Sequence, residues 1–470
     1  MAVIDLTKPA QTPFEPLVFS ALSLLIENTP RFPLFILTEN AEDARKRESE
    51  FRFFAPHLKT AFFPDWETLP YEHFSPHKDL ISERLSLLWQ IFNRQIDVLI
   101  MPVAVAMQKL PPMSFVGGRS FLLQVGNRVD FAALKQNLVL SGYSAVGNVV
   151  AAGEFAVRGS LLDLFPMGTA APLRIDFFDD EIDSIKIFNP DTQRTVSPIS
   201  EIRLLPANEF PTDEQAVQIF RQKWREVFDG NPTNAVPYRQ VSDGFFGGGA
   251  EYYLPLFFDE ECVPITAYLP QNTQIIALTD IQKVCQNFAA DIQMRYKNAA
   301  HDAAYPALPP EYLYLSPDNF QAALSCYTLR SFSPNISNHY HIPDIAVNRQ
   351  KEDPLLSFKN FQAAFNGRIL LCSPTLGRRE TVSAFFHRYK IKTQFVDSWD
   401  DFIHGNAALG FAVGDISSGF RLPEKNMAVI SENDLYPSYV RSTHRKRREA
   451  FAMSPDMALR DLAEIKIGDP

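Results

Sequence analysis

A multidomain α/β protein is the fold class that this sequence predicts, on three observations. Short apolar runs alternate with helical stripes near the N-terminus, closely spaced alternating strands follow, and a second strand–helix–strand series closes the pattern. A chain of 470 residues exceeds one ordinary core, so roughly three or four domains are expected.

The elements can be justified in order. Leu34–Leu37 and Val98–Met101 are continuous apolar runs, as expected of buried parallel strands. Between them Leu80, Ile81, Leu85, Leu88 and Phe92 fall on one helical stripe, with Pro76 near its entry. From Phe121 to Leu205 alternating strands separated by Gly, Pro and Asp turns indicate a small α+β insert. Helical spacing returns over Glu214–Phe228, and Gly247-Gly248-Gly249 reads as a flexible loop. The Pro-rich region Pro334–Pro354 reads as a linker.

A last α/β unit of three layers then opens with the strand Ile369–Cys372 and a helix entered through Ser373-Pro374. Val382, Phe385, Phe386 and Tyr389 share one face of that helix, and Leu409–Val413 and Met427–Ile430 supply further strands. Beyond Tyr436, the run containing Arg441, Arg445, Lys446, Arg447 and Arg448 reads as a solvated linker helix, with nucleic-acid contact as the alternative.

Composition narrows the function. With 46% hydrophobic residues and 39 Phe, the chain is folded and rich in phenylalanine at its core. A formal charge of −10 works against broad, sequence-blind DNA binding. Cys262, Cys285, Cys326 and Cys372 are scattered without C-x-x-C spacing, which fits a reducing cytosol rather than a disulfide framework or zinc site. The apolar run Leu17–Ile26 is too short for a membrane helix and lacks a basic lead, so neither a signal peptide nor an anchor is expected.

Several catalytic chemistries lack their residues. No Gly-Lys dipeptide occurs, so the phosphate-cradling G-x-x-x-x-G-K-[ST] loop is missing, as are G-x-S-x-G and H-E-x-x-H. His339 and His341 share one face of an extended segment without a third ligand, and Asp179-Asp180-Glu181 reads as a solvated hairpin turn. The four tryptophans are expected in the core. No catalytic, cofactor-binding or metal-ligating residue is therefore assigned.

One patch stands out between Arg158 and Phe188. If Leu173, Ile175 and Phe177 face a core, strand alternation turns Arg174, Asp176 and Phe178 outward. Phe155 and Val157 alternate with Ala156 and Arg158, which brings a second arginine to the same face if the two strands pair. Arg158, Arg174 and Phe178 are then a candidate docking patch, since Arg and Phe anchor interfaces. The alternative is a ring covering a hairpin end between two solvated arginines.

FPDWETLPYEHFSPHKDLISERLS (Phe63–Ser86), the Arg158–Phe188 stretch and its continuation LLPANEFPTDE resemble the N-terminal region of the bacterial transcription-repair coupling factor (Mfd) family. That resemblance implies a RecA-like domain in two pieces, similar to the UvrB subunit and without a working nucleotide site. It also implies an inserted UvrA-binding domain and a following small α/β domain. The boundaries become 1–118 and 206–348 for the RecA-like pieces, 119–205 for the insert, 349–440 for the small domain and 441–470 for a basic linker.

On the same basis UvrA contacts fall on Arg158, Arg174 and Phe178. The implied function is non-catalytic recruitment of UvrA to stalled transcription complexes by a cytoplasmic protein, with this surface masked by the parent's C-terminal domain. ATP, Mg²⁺, RNA polymerase and DNA would be engaged mainly by a translocase motor and other regions of the parent. A DNA-binding or helicase-like nucleotide hydrolase module is the alternative.

Overall fold

A computed structural model of the chain describes residues 33–331 and 341–437, which fall into two compact units. Residues 33–48 and 57–331 form the first; residues 49–56 with 341–437 form the second. Leu17–Ile26, His339 and the basic run Arg441–Arg448 lie outside the described residues.

In the first unit, the apolar runs become strands β1 (Leu34–Thr38), β2 (Thr60–Phe62) and β3 (Val98–Pro102). Helix Lys78–Phe92 buries Ile81, Leu85 and Leu88 as its stripe requires, whereas Phe92 at its end is 42% exposed. The chain then leaves for the insert, through β4 (Phe121–Gln124), helix Phe131–Leu140, β5 (Ser144–Ala145), β6 (Glu154–Arg158), β7 (Leu161–Leu164), β8 (Leu173–Phe178), β9 (Glu181–Phe188), β10 (Thr195–Ile199) and β11 (Glu201–Leu204). β4 and β11 pair as an antiparallel ribbon where the chain enters and leaves, and the other six strands form one sheet in the order β10-β9-β8-β7-β6-β5. Strands β12 (Gln274–Ala277) and β13 (Thr328–Ser331) then complete a five-stranded parallel sheet, β13-β12-β1-β3-β2.

One continuous apolar core serves both sheets of this unit, from Phe35 and Leu88 through Leu134 and Ile175 to Phe220 and Phe257. At its centre lies a charged group. Arg84 and Glu209 have fully buried side chains and meet at 2.5 Å through Nε and Oε1. Arg84 also donates to the Pro64 carbonyl at 2.8 Å and to Gln108 Oε1 at 3.1 Å, while Trp66 Nε1 donates to Glu209 Oε2 at 2.9 Å. The guanidinium lies 4.8 Å from the Phe63 ring centre and 5.4 Å from that of Trp66.

The triple glycine is no flexible loop. A Cβ on Gly248 would lie 2.6 Å from the His73 carbonyl oxygen, one on Gly249 2.9 Å from that of Glu72, and Gly249 adopts φ 80°. Glycine is needed because two backbone segments touch.

The second unit is a three-layer α/β domain. Its sheet contains β14 (Arg368–Ser373), β15 (Gln394–Phe395), β16 (Leu409–Val413), β17 (Phe420–Leu422) and β18 (Met427–Ser431), ordered β15-β16-β14-β18-β17, with only β17 antiparallel. Ile369 and Leu371 pack with Phe358, Val382 and Phe386 of helices Leu356–Ala364 and Leu376–Arg388 on one face. Leu370 and Cys372 pack with Trp399, Phe402 and Phe54 on the other. The helix cap is Thr375, whose hydroxyl accepts the Arg378 N–H, rather than the Ser373-Pro374 pair just before it. Within the expected linker Ile345 is buried in this unit's core, as is Leu355 just beyond it, so the described part of the linker packs against the domain although it forms neither helix nor strand.

Two predictions follow from these packing arrangements. Arg84→Met leaves a buried carboxylate without its partner and is expected to cost about 3–5 kcal/mol in urea unfolding. Adding Glu209→Met should recover part of that loss; strict additivity of the two substitutions would show that the groups are not coupled. The second concerns Asp434, whose Oδ2 accepts the Gly419 and Ser431 N–H groups at 2.7 and 2.8 Å. Burial raises its pKa from 3.8 to about 6, against the lowering effect of those two bonds. Because the folded state holds this proton more tightly than the unfolded state, the contribution of Asp434 to stability is fully present below about pH 4 and is lost as the pH rises through 6. Asp434→Asn keeps the accepting oxygen and should remove that component of the slope, worth on the order of 3 kcal/mol in pH-dependent thermal unfolding. An unchanged slope would contradict it.

Candidate functional site

The site is built from the outer face of the six-stranded sheet. Along β8, Leu173, Ile175 and Phe177 are buried, Arg174 and Asp176 are half-buried, and Phe178 is 76% exposed. Helix Phe131–Leu140 covers the inner face: the Phe131 ring stands 4.7 Å from that of Phe177, and Leu134 and Leu138 are buried in the same core. Phe178 pairs with Glu181 across a two-residue turn, Asp179-Asp180, in which Asp179 has φ 54°. The acidic stretch is thus the hairpin turn that its composition indicated.

The strand carrying Arg158 does not pair with β8. β7 lies between them, placing Ala156, Asp163 and Arg174 in one cross-strand row and Arg158, Leu161 and Asp176 in the next. Arg158 nevertheless shares the outer face, about 10 Å from the β8 backbone across two strand spacings. It is exposed, and its Nη2 donates to the Gly147 carbonyl at 2.9 Å and to Asn148 Oδ1.

Arg174 is held far more firmly than a solvated arginine. Its Nε and Nη2 donate to the two carboxylate oxygens of Asp163 at 2.6 and 2.8 Å, and its Nη1 donates to the Gln193 carbonyl at 3.3 Å. Its side chain is 21% exposed and that of Asp163 is 3% exposed. The Asp163 hydrogen bonds raise the Arg174 pKa above its ordinary value, and the guanidinium lies 5.0 Å from the Phe188 ring centre. Part of the outer face is therefore not wet: Val149, Ala156 and Phe188 form a small apolar cluster beneath the surrounding loops.

The three expected residues thus share one face in different states, Phe178 open, Arg158 open and loop-bound, Arg174 clamped. Asp163 is the residue that the sequence reading missed. Its signal was a carboxylate within the apolar run Leu161–Leu164, which a core strand tolerates only with a partner. Among the described residues, no group of His, Cys, Asp or Glu could hold a metal ion, all four cysteines are free, and no helix is long and apolar enough to cross a membrane.

Comparison with known proteins places this face in a family context. Residues 121–210, which contain the whole six-stranded sheet, match a family described as the UvrB interaction domain, and residues 361–435 match one described as the MFD D3 domain. The transcription-repair-coupling factor of Escherichia coli K12 is 37% identical over 447 residues, 93% of this chain and 38% of the relative. That of Haemophilus influenzae is 37% identical over 87% of this chain and 36% of the relative; that of Bacillus subtilis is 24% identical over 96% and 40%. The chain thus spans about two fifths of the length of these relatives. With similarity over 93% and 87% of this chain and an interaction-domain match on the sheet that displays Phe178, the chain corresponds to the N-terminal region of the transcription-repair-coupling factors.

Proposed function

We propose that this chain is a non-catalytic recruitment module that binds the excision-repair subunit UvrA through Arg158, Arg174 and Phe178. The observation that carries this reading is the Phe178 ring, 76% exposed at the tip of the sheet that matches the UvrB interaction domain. A large ring on a short hairpin, backed by a packed strand and sharing the outer face with two arginines, has the composition of an interface anchor.

The two-piece parallel sheet is consistent with a degenerate RecA-like domain similar to that of UvrB, and the absence of Gly-Lys argues against nucleotide hydrolysis by this part. On this reading the parent protein is an ATP-dependent DNA translocase of the cytoplasm. Its motor binds ATP and Mg²⁺, it engages RNA polymerase and DNA mainly through other regions, and its C-terminal domain masks the UvrA-binding face until the motor engages. Recruitment is then linked to translocation by a closed–open equilibrium.

Calorimetric titration of the chain with UvrA tests the assignment. Phe178→Ala is expected to cost about 2–4 kcal/mol of binding and Arg158→Ala about 1–2 kcal/mol; unchanged affinity in both would refute the site. Asp163→Asn should weaken UvrA binding by releasing Arg174, and should do so without effect once Arg174 is already Ala. DNA-stimulated ATP turnover by the isolated chain would overturn the non-catalytic reading.

A further inference from the structure

The second unit holds a crevice that the UvrA reading leaves unused. It measures about 940 Å³ and opens at the carboxyl ends of β14, β16 and β18, where Pro374, Gly414 and Glu432 form part of its wall. β14 is the central strand. From it the chain first builds β15 and β16 on one side, then β18 and β17 on the other. In open α/β sheets this reversal of strand order leaves a cleft outside the carboxyl edge, the usual place for a small ligand.

Three chemistries meet there. Arg349, Arg378 and Arg388 line the crevice and outnumber its two carboxylates, Asp415 and Glu432. The Glu432 side chain is only 9% exposed; Arg378 Nη2 donates to its Oε1, and its Oε2 has no hydrogen-bond partner among the described residues. A buried carboxylate oxygen without a donor is costly, and a ligand hydroxyl would satisfy it. Phe385 and Ile416 add apolar surface to the same wall.

We propose that this crevice binds a nucleotide. The phosphate meets Arg349 and Arg388, a ribose hydroxyl donates to Glu432 Oε2, and the base lies along the apolar wall. Arg378 keeps its ion pair and orients the Glu432 carboxylate toward the ligand. The site is independent of the interaction sheet and of the UvrA assignment.

The test is calorimetric titration of the whole 470-residue chain with AMP, adenosine, ribose 5-phosphate and inorganic phosphate at low salt. AMP is expected to bind at least tenfold more tightly than adenosine or phosphate alone, because only AMP satisfies all three chemistries. Arg349→Ala combined with Arg388→Ala, both at exposed positions, should weaken AMP and phosphate about tenfold and leave adenosine unchanged. Glu432→Gln retains an oxygen for Arg378 but replaces the free acceptor with a donor. It should weaken AMP and ribose 5-phosphate about fivefold or more and leave inorganic phosphate unaffected. Matching thermal unfolding of wild type and variants confirms that the fold is intact. Absence of AMP binding at millimolar concentration, AMP binding that none of the variants alters, or phosphate binding as tightly as AMP would each overturn the proposal.

Discussion

The first unit depends on the enclosed pair of Arg84 and Glu209. Both side chains are fully buried, and an ion pair in that position persists only when hydrogen bonds replace the lost water. Pro64, Trp66 and Gln108 supply those bonds, so residues 64–84 and 108 are fixed against residue 209. The insert leaves the parallel sheet after β3 and returns at β11, just before Glu209. The pair therefore closes the loop that contains the six-stranded sheet, and stabilises the root from which that sheet projects. Pro64, Trp66 and Arg84 lie in the Phe63–Ser86 segment and Glu209 in LLPANEFPTDE, so the two segments meet in one buried network.

A second charge pair governs the display of the candidate face. Asp163 is buried in β7 and needs a cation, and the cross-strand register offers Arg174 directly opposite. A bidentate geometry fixes the guanidinium plane, so Arg174 presents its remaining N–H donors in one orientation instead of sampling many. Ordering that side chain in the free protein lowers the entropy lost on binding. Arg158, bound to the Gly147 carbonyl and Asn148, has a looser version of the same arrangement.

Much of this was legible in the sequence where one period governed a whole element. The alternation of Leu173–Phe178 and the uninterrupted apolar runs of β1, β3 and β16 determined burial correctly, because each strand has a defined core face. Long-range relations were less visible. Nothing local indicates that β7 lies between the strands of Arg158 and Arg174, nor that part of the outer face is capped by Val149 and Phe188. The glycines of residues 247–249 carried the signal of flexibility, yet close approach to residues 72–73 is a tertiary cause that composition cannot separate from a mobile turn. Ile345 was hidden in a proline-rich stretch for the same reason: a segment without periodicity can still bury single side chains.

The two parallel sheets reach opposite electrostatic solutions at comparable edges. After β1, only Glu39 and Asn40 precede helix Ala41–Phe54, at the kind of junction where a phosphate loop would need several glycines and a lysine. Asn40 Oδ1 accepts the Asp43 N–H at 2.9 Å, and Glu42 and Asp43 occupy the first helical turn. The positive end of that helix dipole is thereby complemented by the chain's own carboxylates, which repel a phosphate. At the edge of the second sheet the balance is reversed: three arginines face two carboxylates, one of them already paired. Lys46 at the first edge is already paired with Glu42 at 2.8 Å, whereas Arg349, Arg378 and Arg388 all line the crevice of the second. The distribution of charge thus disfavours a phosphate at the first parallel sheet and is compatible with the nucleotide proposed for the second.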